Sequence, residues 1–221
     1  NNFIDENKEL IKNLKSYESN HIDYKIETLK LSKTLSYLWM EKNLINLIKS
    51  FFGTGVYARN YPYIYYTYVP SINKTNQNES QVADSWHIDH SVLFNLHILL
   101  EDVSEEDTCM EIVPKSHKNF NIASLYTDNV VNQFSKDRIK CTGKKGTVYM
   151  HTGNAVHRLS PKSGSNRLNL HFEFTPGSNI LVDVNNIKKC LDSEFNIESL
   201  EKYQREILKV IFPTKQIKGY D

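Results

Sequence analysis

Apolar residues recur at helical spacing in the first quarter of the chain. One such run surrounds Leu10, and a second extends from Leu31 to Phe52. Residues three and four apart share one face of an α-helix, so this spacing predicts two or three amphipathic helices. Gly53 follows the second run, as glycine commonly follows the last turn of a helix. We therefore expect residues 1–55 to form a helical N-terminal support.

From about residue 56 to residue 184 the pattern changes to short stretches in which polar and apolar residues alternate, separated by turn residues. A period of two is typical of β-strands whose two faces meet different surroundings. The pattern predicts seven strands: Tyr63–Val69, Trp86–His90, Val92–Leu100, Met110–Val113, Gly146–His151, Ala155–Arg158 and Arg167–Phe174.

The segments between and after these strands have a different character. Ser71–Ser80 is polar and predicts a loop, and the mixed stretch Ser116–Asp137 predicts an excursion with a short helix. The tail from residue 185 to 221 carries one more helical pattern, Ile197–Ile211, which Pro213 would end. Short strands with helices before and after them predict one mainly β domain with flanking helices. The expected architecture is a double-stranded β-helix, that is, a jelly-roll or cupin-like barrel with a lumen.

Charge and cysteine content narrow the function classes. The chain has 27 Lys and Arg against 26 Asp and Glu, a formal net charge of +1, so the balance favours neither nucleic acid nor an anionic membrane as partner. No apolar stretch approaches the roughly 20 residues of a membrane span, and no secretory signal is visible. The 3 cysteines are far apart and suit reduced thiols. We expect a cytoplasmic monomer or homodimer that acts on a small molecule.

Residues 86–90 read Trp-His-Ile-Asp-His. On a strand, His87 and Asp89 would point to the same side and could bind one divalent metal ion. His157, which follows a later predicted strand, is the candidate third ligand. Two histidines and one carboxylate form the facial triad of iron(II) oxygenases, which leaves positions open for a 2-oxo acid and O2. An HxD triplet arises easily by chance, so the motif needs further context.

Arg167 supplies that context, ten residues after His157. It begins a predicted strand on which Asn169 and His171 share its face. A cation on the lumen face is costly unless it is paired. The guanidinium fork matches a carboxylate in bidentate fashion, and 2-oxoglutarate offers one at C5. Ser160 could add a hydroxyl hydrogen bond to the same carboxylate.

Four blocks of the sequence resemble the phytanoyl-CoA dioxygenase family of the Fe(II)/2-oxoglutarate superfamily, over roughly Tyr65 to Thr175. They are Trp86-His-Ile-Asp, the stretch from Leu100 to Pro-Lys-Ser-His117, Gly146-Thr-Val-Tyr-Met, and His157 to Arg167. The family usually has Pro-Gly-Ser-His where this chain has Lys115, and its segment between the second histidine and the arginine is often slightly longer.

The resemblance implies a double-stranded β-helix that uses Fe(II), 2-oxoglutarate and O2. It implies that iron binds at His87, Asp89 and His157, and that Arg167 binds the C5 carboxylate of 2-oxoglutarate. His97 occupies a family position that contacts the co-substrate, and Thr67 and Tyr65 are further candidates on a strand that aligns more loosely. Related halogenases replace the acidic ligand with a small residue, so the retained aspartate favours hydroxylation.

The predicted function is therefore a dioxygenase that hydroxylates a C–H bond and releases succinate and CO2. The chain is short for the family, which favours a small polar metabolite or biosynthetic intermediate as substrate. Two alternatives remain: a non-catalytic metal-binding protein that binds or senses a small acid, and an O2-independent metal lyase or isomerase. The sequence also leaves open whether His151 and His171 line the lumen and whether Trp86 shields the metal or packs in the core.

Overall fold

The computed structural model describes residues 40–59, 62–68, 85–89, 92–118, 125–160, 165–176 and 201–203, the isolated residues 9, 12, 13 and 38, and the backbone of 21–24. The helices with defined bounds are α1 (Lys42–Phe52) and α2 (Asp128–Phe134), and a 3-10 turn covers Ser116–Lys118. The strands are β1 (His21–Tyr24), β2 (Tyr57–Ala58), β3 (Tyr63–Tyr68), β4 (Trp86–His87), β5 (Phe94–Leu99), β6 (Cys109–Ile112), β7 (Leu125–Tyr126), β8 (Ile139–Cys141), β9 (Val148–Thr152), β10 (His157–Ser160) and β11 (Asn166–Thr175).

These strands form two sheets. The main sheet has the order β1-β3-β11-β5-β9, with β2 paired to β11, and the minor sheet has the order β7-β4-β10-β6-β8. Side chains from the two sheets meet between them: the rings of His151 on β9 and His157 on β10 lie 4.7 Å apart. We call the space between the two sheets the lumen. Leu99, Val103 and Cys109 form an apolar cluster against which Tyr149 packs. The predicted fold class, a mainly β jelly roll, is confirmed.

Contacts divide the chain into two compact units. One comprises residues 1–7, 24–63 and 172–221, and the other comprises residues 8–23 and 64–171. The second unit contains the minor sheet and the lumen. The predicted division at residues 55 and 184 stays a prediction, and most of the predicted C-terminal helix lies outside the described residues.

Local sequence explains where α1 begins and ends. The Glu41 carboxylate accepts a hydrogen bond of 2.7 Å from the backbone N–H of Leu44, which satisfies a free donor at the helix start. Gly53 ends the helix in the left-handed conformation (φ 68°), with its N–H donating to the Lys49 carbonyl. The helix predicted to end at Phe52 is therefore confirmed. No helix within the described parts of the chain has the length and apolar character needed to cross a membrane.

The N-terminal segment contains a short strand between its two predicted helical runs. His21–Tyr24 form β1, which pairs with β3 at the edge of the main sheet. Strand pairing supplies hydrogen bonds that a four-residue helical stretch could not match. The excursion predicted over Ser116–Asp137 does contain its short helix, α2, together with strand β7.

The outer face of the minor sheet is covered by α2. Val131 of the helix packs against Trp86, Val113 and Val156. The Trp86 indole N–H donates to Asp128 at 2.7 Å. Trp86 therefore packs in a core on the side of β4 opposite His87, which settles its role against shielding the metal.

The turn around Lys115 holds the start of β10 in place. The Ser116 hydroxyl donates to the Val113 carbonyl at 2.8 Å and accepts from the Val156 N–H, also at 2.8 Å. Val156 precedes His157, so this turn fixes the backbone next to a candidate ligand. Lys115 has φ 63°, in the left-handed region that favours glycine. This conformation gives a physical reason for the glycine that the resembling family usually carries here.

Replacing Lys115 with glycine is expected to raise the free energy of unfolding by about 0.5–1 kcal/mol. The substitution removes a steric cost of roughly 1–2 kcal/mol, offset in part by the greater freedom of glycine in the unfolded chain. Urea unfolding of the metal-free protein measures the change. Lys118→Gly, three residues further along the same turn, serves as the control and should lower stability; the same sign for both variants would contradict the prediction.

Candidate metal and co-substrate site

The three candidate ligands come from two neighbouring strands of the minor sheet. His87 is the last residue of β4, Asp89 follows two residues later, and His157 is the first residue of β10. The two strands are antiparallel, and His87 lies directly opposite His157. Each residue offers one ligand atom, and these atoms lie within 4.8 Å of one another. The arrangement could hold one divalent metal ion.

Backbone carbonyls fix which nitrogen of each histidine faces the site. His87 Nδ1 lies 2.8 Å from the Ser85 carbonyl oxygen, and His157 Nδ1 lies 2.8 Å from the Ala155 carbonyl oxygen. A carbonyl only accepts, so each neutral ring carries its proton on Nδ1 and keeps a lone pair on Nε2. Burial, followed by the electrostatic influence of the neighbouring His87 side chain, lowers the pKa of His157 to about 4. His157 is therefore neutral at pH 7, the form that binds a metal ion.

Two contacts orient the Asp89 carboxylate. The backbone N–H of Asp89 donates to the Gly153 carbonyl at 2.7 Å, which fixes the main chain. The Asn95 side-chain amide donates to Asp89 Oδ2 at 3.1 Å. A hydrogen bond to one carboxylate oxygen leaves the other free to bind a metal ion. Gly153 packs against this group: a Cβ atom there would lie 3.0 Å from Asp89 Oδ2 and 3.0 Å from Leu93 Cβ.

Gly153→Ala is expected to weaken binding of Mn(II) to the metal-free protein by roughly tenfold, the scale of a lost outer contact to a metal ligand. The added methyl group must displace Asp89 or Leu93, and the carboxylate then leaves its position opposite the two histidines. Isothermal titration calorimetry measures the affinity. Val92→Ala, an exposed substitution in the same region, is the control. Unchanged Mn(II) affinity in Gly153→Ala would show that this close packing is unimportant.

Arg167 is buried in the lumen, with only 2% of its surface exposed. Its Nη1 donates to the Tyr149 hydroxyl across 3.4 Å, and its Nε has no hydrogen-bond partner among the described residues. Within that same part of the chain no carboxylate forms an ion pair with it. A buried cation without an anion is costly, so the lumen is suited to an anionic ligand at this point. The donor set thus fits a metal ion together with a carboxylate-bearing co-substrate.

Polar side chains line the lumen face of the main sheet. On β5 and β9, Asn95 lies opposite His151 and His97 lies opposite Tyr149. Asn169 and His171 on β11 continue this face, and both are buried. Burial, followed by repulsion from His171 and His151, holds the pKa of His97 well below its ordinary value. Burial, followed by repulsion from His157, does the same for the pKa of His151.

Thr67 and Tyr65, two further predicted co-substrate residues, both lie on β3. Thr67 is buried on β3, beside β11, and its hydroxyl has no partner among the described residues. Tyr65 lies with its ring centre 5.9 Å from that of His171. Both positions are compatible with the predicted roles.

Ser160 is the last residue of β10, and His97 lies on the lumen face of β5. Ser160 shares its face of β10 with Arg158, whose guanidinium lies over the Trp86 ring at 4.2 Å on the outer side. Ser160 is also paired with the buried Cys109 of β6, and its predicted hydrogen bond to the co-substrate stays a prediction. Both ring nitrogens of His97 are taken by protein partners, His151 and Asn169. No polar atom of His97 remains to hydrogen-bond a co-substrate.

Sequence reasoning missed Tyr149, which contacts Arg167 in the lumen. The alternation on β9 could have revealed it, because Tyr149 and His151 alternate with the exposed Val148 and Met150. The same alternation answers the open question on His151, which lines the lumen. His90 lies outside the described residues.

The fold is shared with several solved structures. EvdMO1 superposes with a TM-score of 0.51 at 20% identity, covering 79% of this chain and 43% of that one. EctD from S. alaskensis, with 2-oxoglutarate and 5-hydroxyectoine, gives a TM-score of 0.55 at 15% identity, covering 80% and 69%. The epimerase SnoN, in complex with Fe3+, alpha ketoglutarate and nogalamycin RO, gives 0.52 at 14% identity, covering 80% and 75%. This chain thus spans less than half the length of EvdMO1, and identities this low establish the fold alone.

A family comparison is more specific. A search of curated protein sequences finds no significant match. Residues 13–167, in contrast, match the phytanoyl-CoA dioxygenase (PhyH) family, which confirms the resemblance seen in the motifs. Because the match spans well over half of the 221 residues, the chain belongs to the phytanoyl-CoA dioxygenase family of Fe(II)- and 2-oxoglutarate-dependent oxygenases.

Proposed function

We propose that this protein is a non-haem Fe(II)- and 2-oxoglutarate-dependent dioxygenase that hydroxylates a C–H bond of a small polar metabolite or biosynthetic intermediate. The observation that carries the proposal is the buried Arg167, which lacks an anionic partner among the described residues and faces the same lumen as His87, Asp89 and His157. A triad alone would suit many metal proteins. A triad with an anion-binding arginine suits 2-oxoglutarate, which must bind both.

Each residue has a definite part in this reaction. His87, Asp89 and His157 hold the metal ion, and Arg167 binds the C5 carboxylate of 2-oxoglutarate. Iron, when bound, would catalyse oxidation of the substrate C–H bond by O2. This oxidation is coupled to the conversion of 2-oxoglutarate to succinate and CO2. The buried lumen face keeps water from the reacting groups. Asp89 occupies the carboxylate position that halogenases leave vacant, which supports hydroxylation.

The predicted location and assembly belong to the same proposal. Cys109 and Cys141 are both buried and unbridged, as thiols are in a reducing cytoplasm. Burial raises the pKa of Cys141 to about 12, which keeps that thiol protonated and unreactive. These thiols support the proposed cytoplasmic location, and a monomer or homodimer stays the expected assembly.

Succinate formation tests the proposal directly. The metal-free protein is loaded with Fe(II) without oxygen, mixed with 2-oxoglutarate and a library of small polar compounds, and then exposed to air. Proton NMR follows succinate and any new product. Succinate that requires Fe(II), O2 and the intact triad supports the proposal, whereas equal succinate from His87→Ala would overturn it. Binding without succinate would favour the small-acid sensor, and turnover without O2 would favour the lyase or isomerase.

Epimerisation is a second candidate outcome, favoured by the similarity of fold to the epimerase SnoN. The two reactions differ in their atoms: hydroxylation adds one oxygen to the substrate, while epimerisation leaves its mass unchanged. Mass spectrometry of the product formed under 18O2 therefore separates them.

A further inference from the structure

A chain of hydrogen bonds crosses the lumen face of the main sheet through His97. Its Nε2 lies 3.2 Å from His151 Nε2, and its Nδ1 lies 2.9 Å from the Asn169 side-chain nitrogen. His151 Nδ1 in turn lies 3.1 Å from the Thr152 carbonyl oxygen. Every nitrogen of the two rings is therefore engaged by the protein.

The direction of this chain follows from its end at Thr152. A carbonyl oxygen only accepts, so His151 must carry its proton on Nδ1 and present a lone pair at Nε2. His97 must then donate from Nε2, which leaves its Nδ1 to accept from the Asn169 amide N–H. One proton arrangement satisfies every contact with both rings neutral.

His97 is also the middle ring of a stack. The His171 ring lies 4.1 Å away at an interplanar angle of 13°, and the Tyr149 ring lies 4.7 Å away at 12°. Strands β11 and β9 flank β5 and carry these two rings. Stacking of this kind restricts how far each ring can turn.

The two sets of contacts lead to different parts of the candidate site. Through the stack, His97 holds Tyr149, whose hydroxyl accepts from Arg167. Through the hydrogen bond, His97 holds His151, whose ring lies 4.7 Å from the ring of the candidate ligand His157. His97 itself is 4% exposed and offers no free polar atom.

We infer that His97 is a positioning residue with two separable tasks: its ring face sets Tyr149 and hence the co-substrate anchor Arg167, and its Nε2–H sets His151 against the metal ligand His157. This inference rests on the proposed function and adds to it, because no co-substrate contact is needed for either task. A residue with one merely structural task would affect both parts of the site together.

Two substitutions separate the tasks. His97→Phe keeps a ring in the stack but removes both nitrogens. His97→Gln removes the ring but keeps one N–H donor and one acceptor, spaced like those of imidazole. Met150→Leu, on the solvent side of β9 and 41% exposed, is the matched control. Thermal unfolding followed by circular dichroism verifies that each variant is folded.

The readouts are two binding constants that need no turnover. Mn(II) is titrated into the metal-free protein, and 2-oxoglutarate is titrated into protein saturated with Mn(II). His97→Phe should weaken Mn(II) binding by about tenfold, as lost partners of metal ligands do, and leave 2-oxoglutarate binding within twofold. His97→Gln should leave Mn(II) binding within twofold and weaken 2-oxoglutarate binding by about three- to tenfold, the value of an aromatic pair. Equal changes in both constants, or none, in both variants would overturn the inference.

Nitrogen NMR of the metal-free wild-type protein gives a test independent of any ligand. With 15N-labelled histidine at pH 7, His97 should show the Nε2–H tautomer and His151 the Nδ1–H tautomer, and the opposite assignment would overturn the inference. Wild-type protein that binds neither Mn(II) nor 2-oxoglutarate would instead overturn the proposed function. The two failures are therefore distinguishable.

Discussion

Replacing Arg167 with methionine is expected to weaken 2-oxoglutarate binding by at least about 100-fold. Two hydrogen bonds between a guanidinium and a carboxylate contribute roughly 1.5–3 kcal/mol each, and the factor follows from their sum. Methionine fills a similar volume but offers neither charge nor donors. Calorimetric titration of 2-oxoglutarate into the Mn(II)-saturated protein measures the loss.

The same substitution should act in the opposite direction on stability. In the ligand-free protein Arg167 is 2% exposed, and no carboxylate pairs with it among the described residues. Removing a buried, unpaired cation is expected to raise the free energy of unfolding of that form. A residue selected for packing would lose stability on replacement, so the sign of the change distinguishes an anchor for a ligand from a structural residue.

Arg167→Lys provides the control for charge alone. Lysine keeps the positive charge but has no planar fork, so it should recover only part of the affinity. Full affinity in Arg167→Lys would mean that charge alone suffices. Full affinity in Arg167→Met would show that the co-substrate carboxylate binds elsewhere, and the assignment of Arg167 would fail.

Replacing Asp89 with alanine is expected to abolish succinate formation and to weaken Mn(II) binding by at least about 100-fold. Loss of a partner outside the ligand shell already costs 10- to 100-fold in metal affinity, and a charged ligand contributes more. Two neutral imidazoles would then hold the ion without a compensating negative charge. Calorimetry with Mn(II) and NMR detection of succinate give the two readouts.

Asp137→Ala is the matched control for this substitution, because Asp137 is an exposed aspartate on the surface. It should leave both readouts unchanged. If Asp89→Ala retained metal binding within tenfold of wild type, the facial triad would be the wrong assignment. Retained metal binding without succinate would instead limit Asp89 to a role in turnover.

Much of the fold and the metal site could be predicted from local patterns. Alternation of polar and apolar residues on β11 correctly separated Arg167, Asn169 and His171 from the apolar face that packs in the core. The two-residue spacing of His87 and Asp89 placed both side chains together, because it depends only on backbone geometry. Local patterns carry this information because the alternation of side chains and the two-residue spacing are both properties of a single strand.

The bounds of one strand near the metal site differ from the predicted bounds. The expected strand Ala155–Arg158 is observed as His157–Ser160, and its pairing with β6 sets Ser160 opposite Cys109. The phase of a strand depends on its partners, which a single stretch of sequence does not specify. The same holds for β1, whose strand state depends on pairing with β3.

The sequence by itself predicted the jelly-roll class, the proximity of His87, Asp89 and His157, and the burial of a cation at Arg167. Tertiary structure alone decided what His97 contacts, because its partners come from positions 54 and 72 residues away in the chain. Hydrogen-bond direction and ring stacking arise only when three strands lie side by side. A pattern along the chain can therefore place a side chain in the lumen, but only its neighbours in space determine whether its polar atoms are free for a ligand.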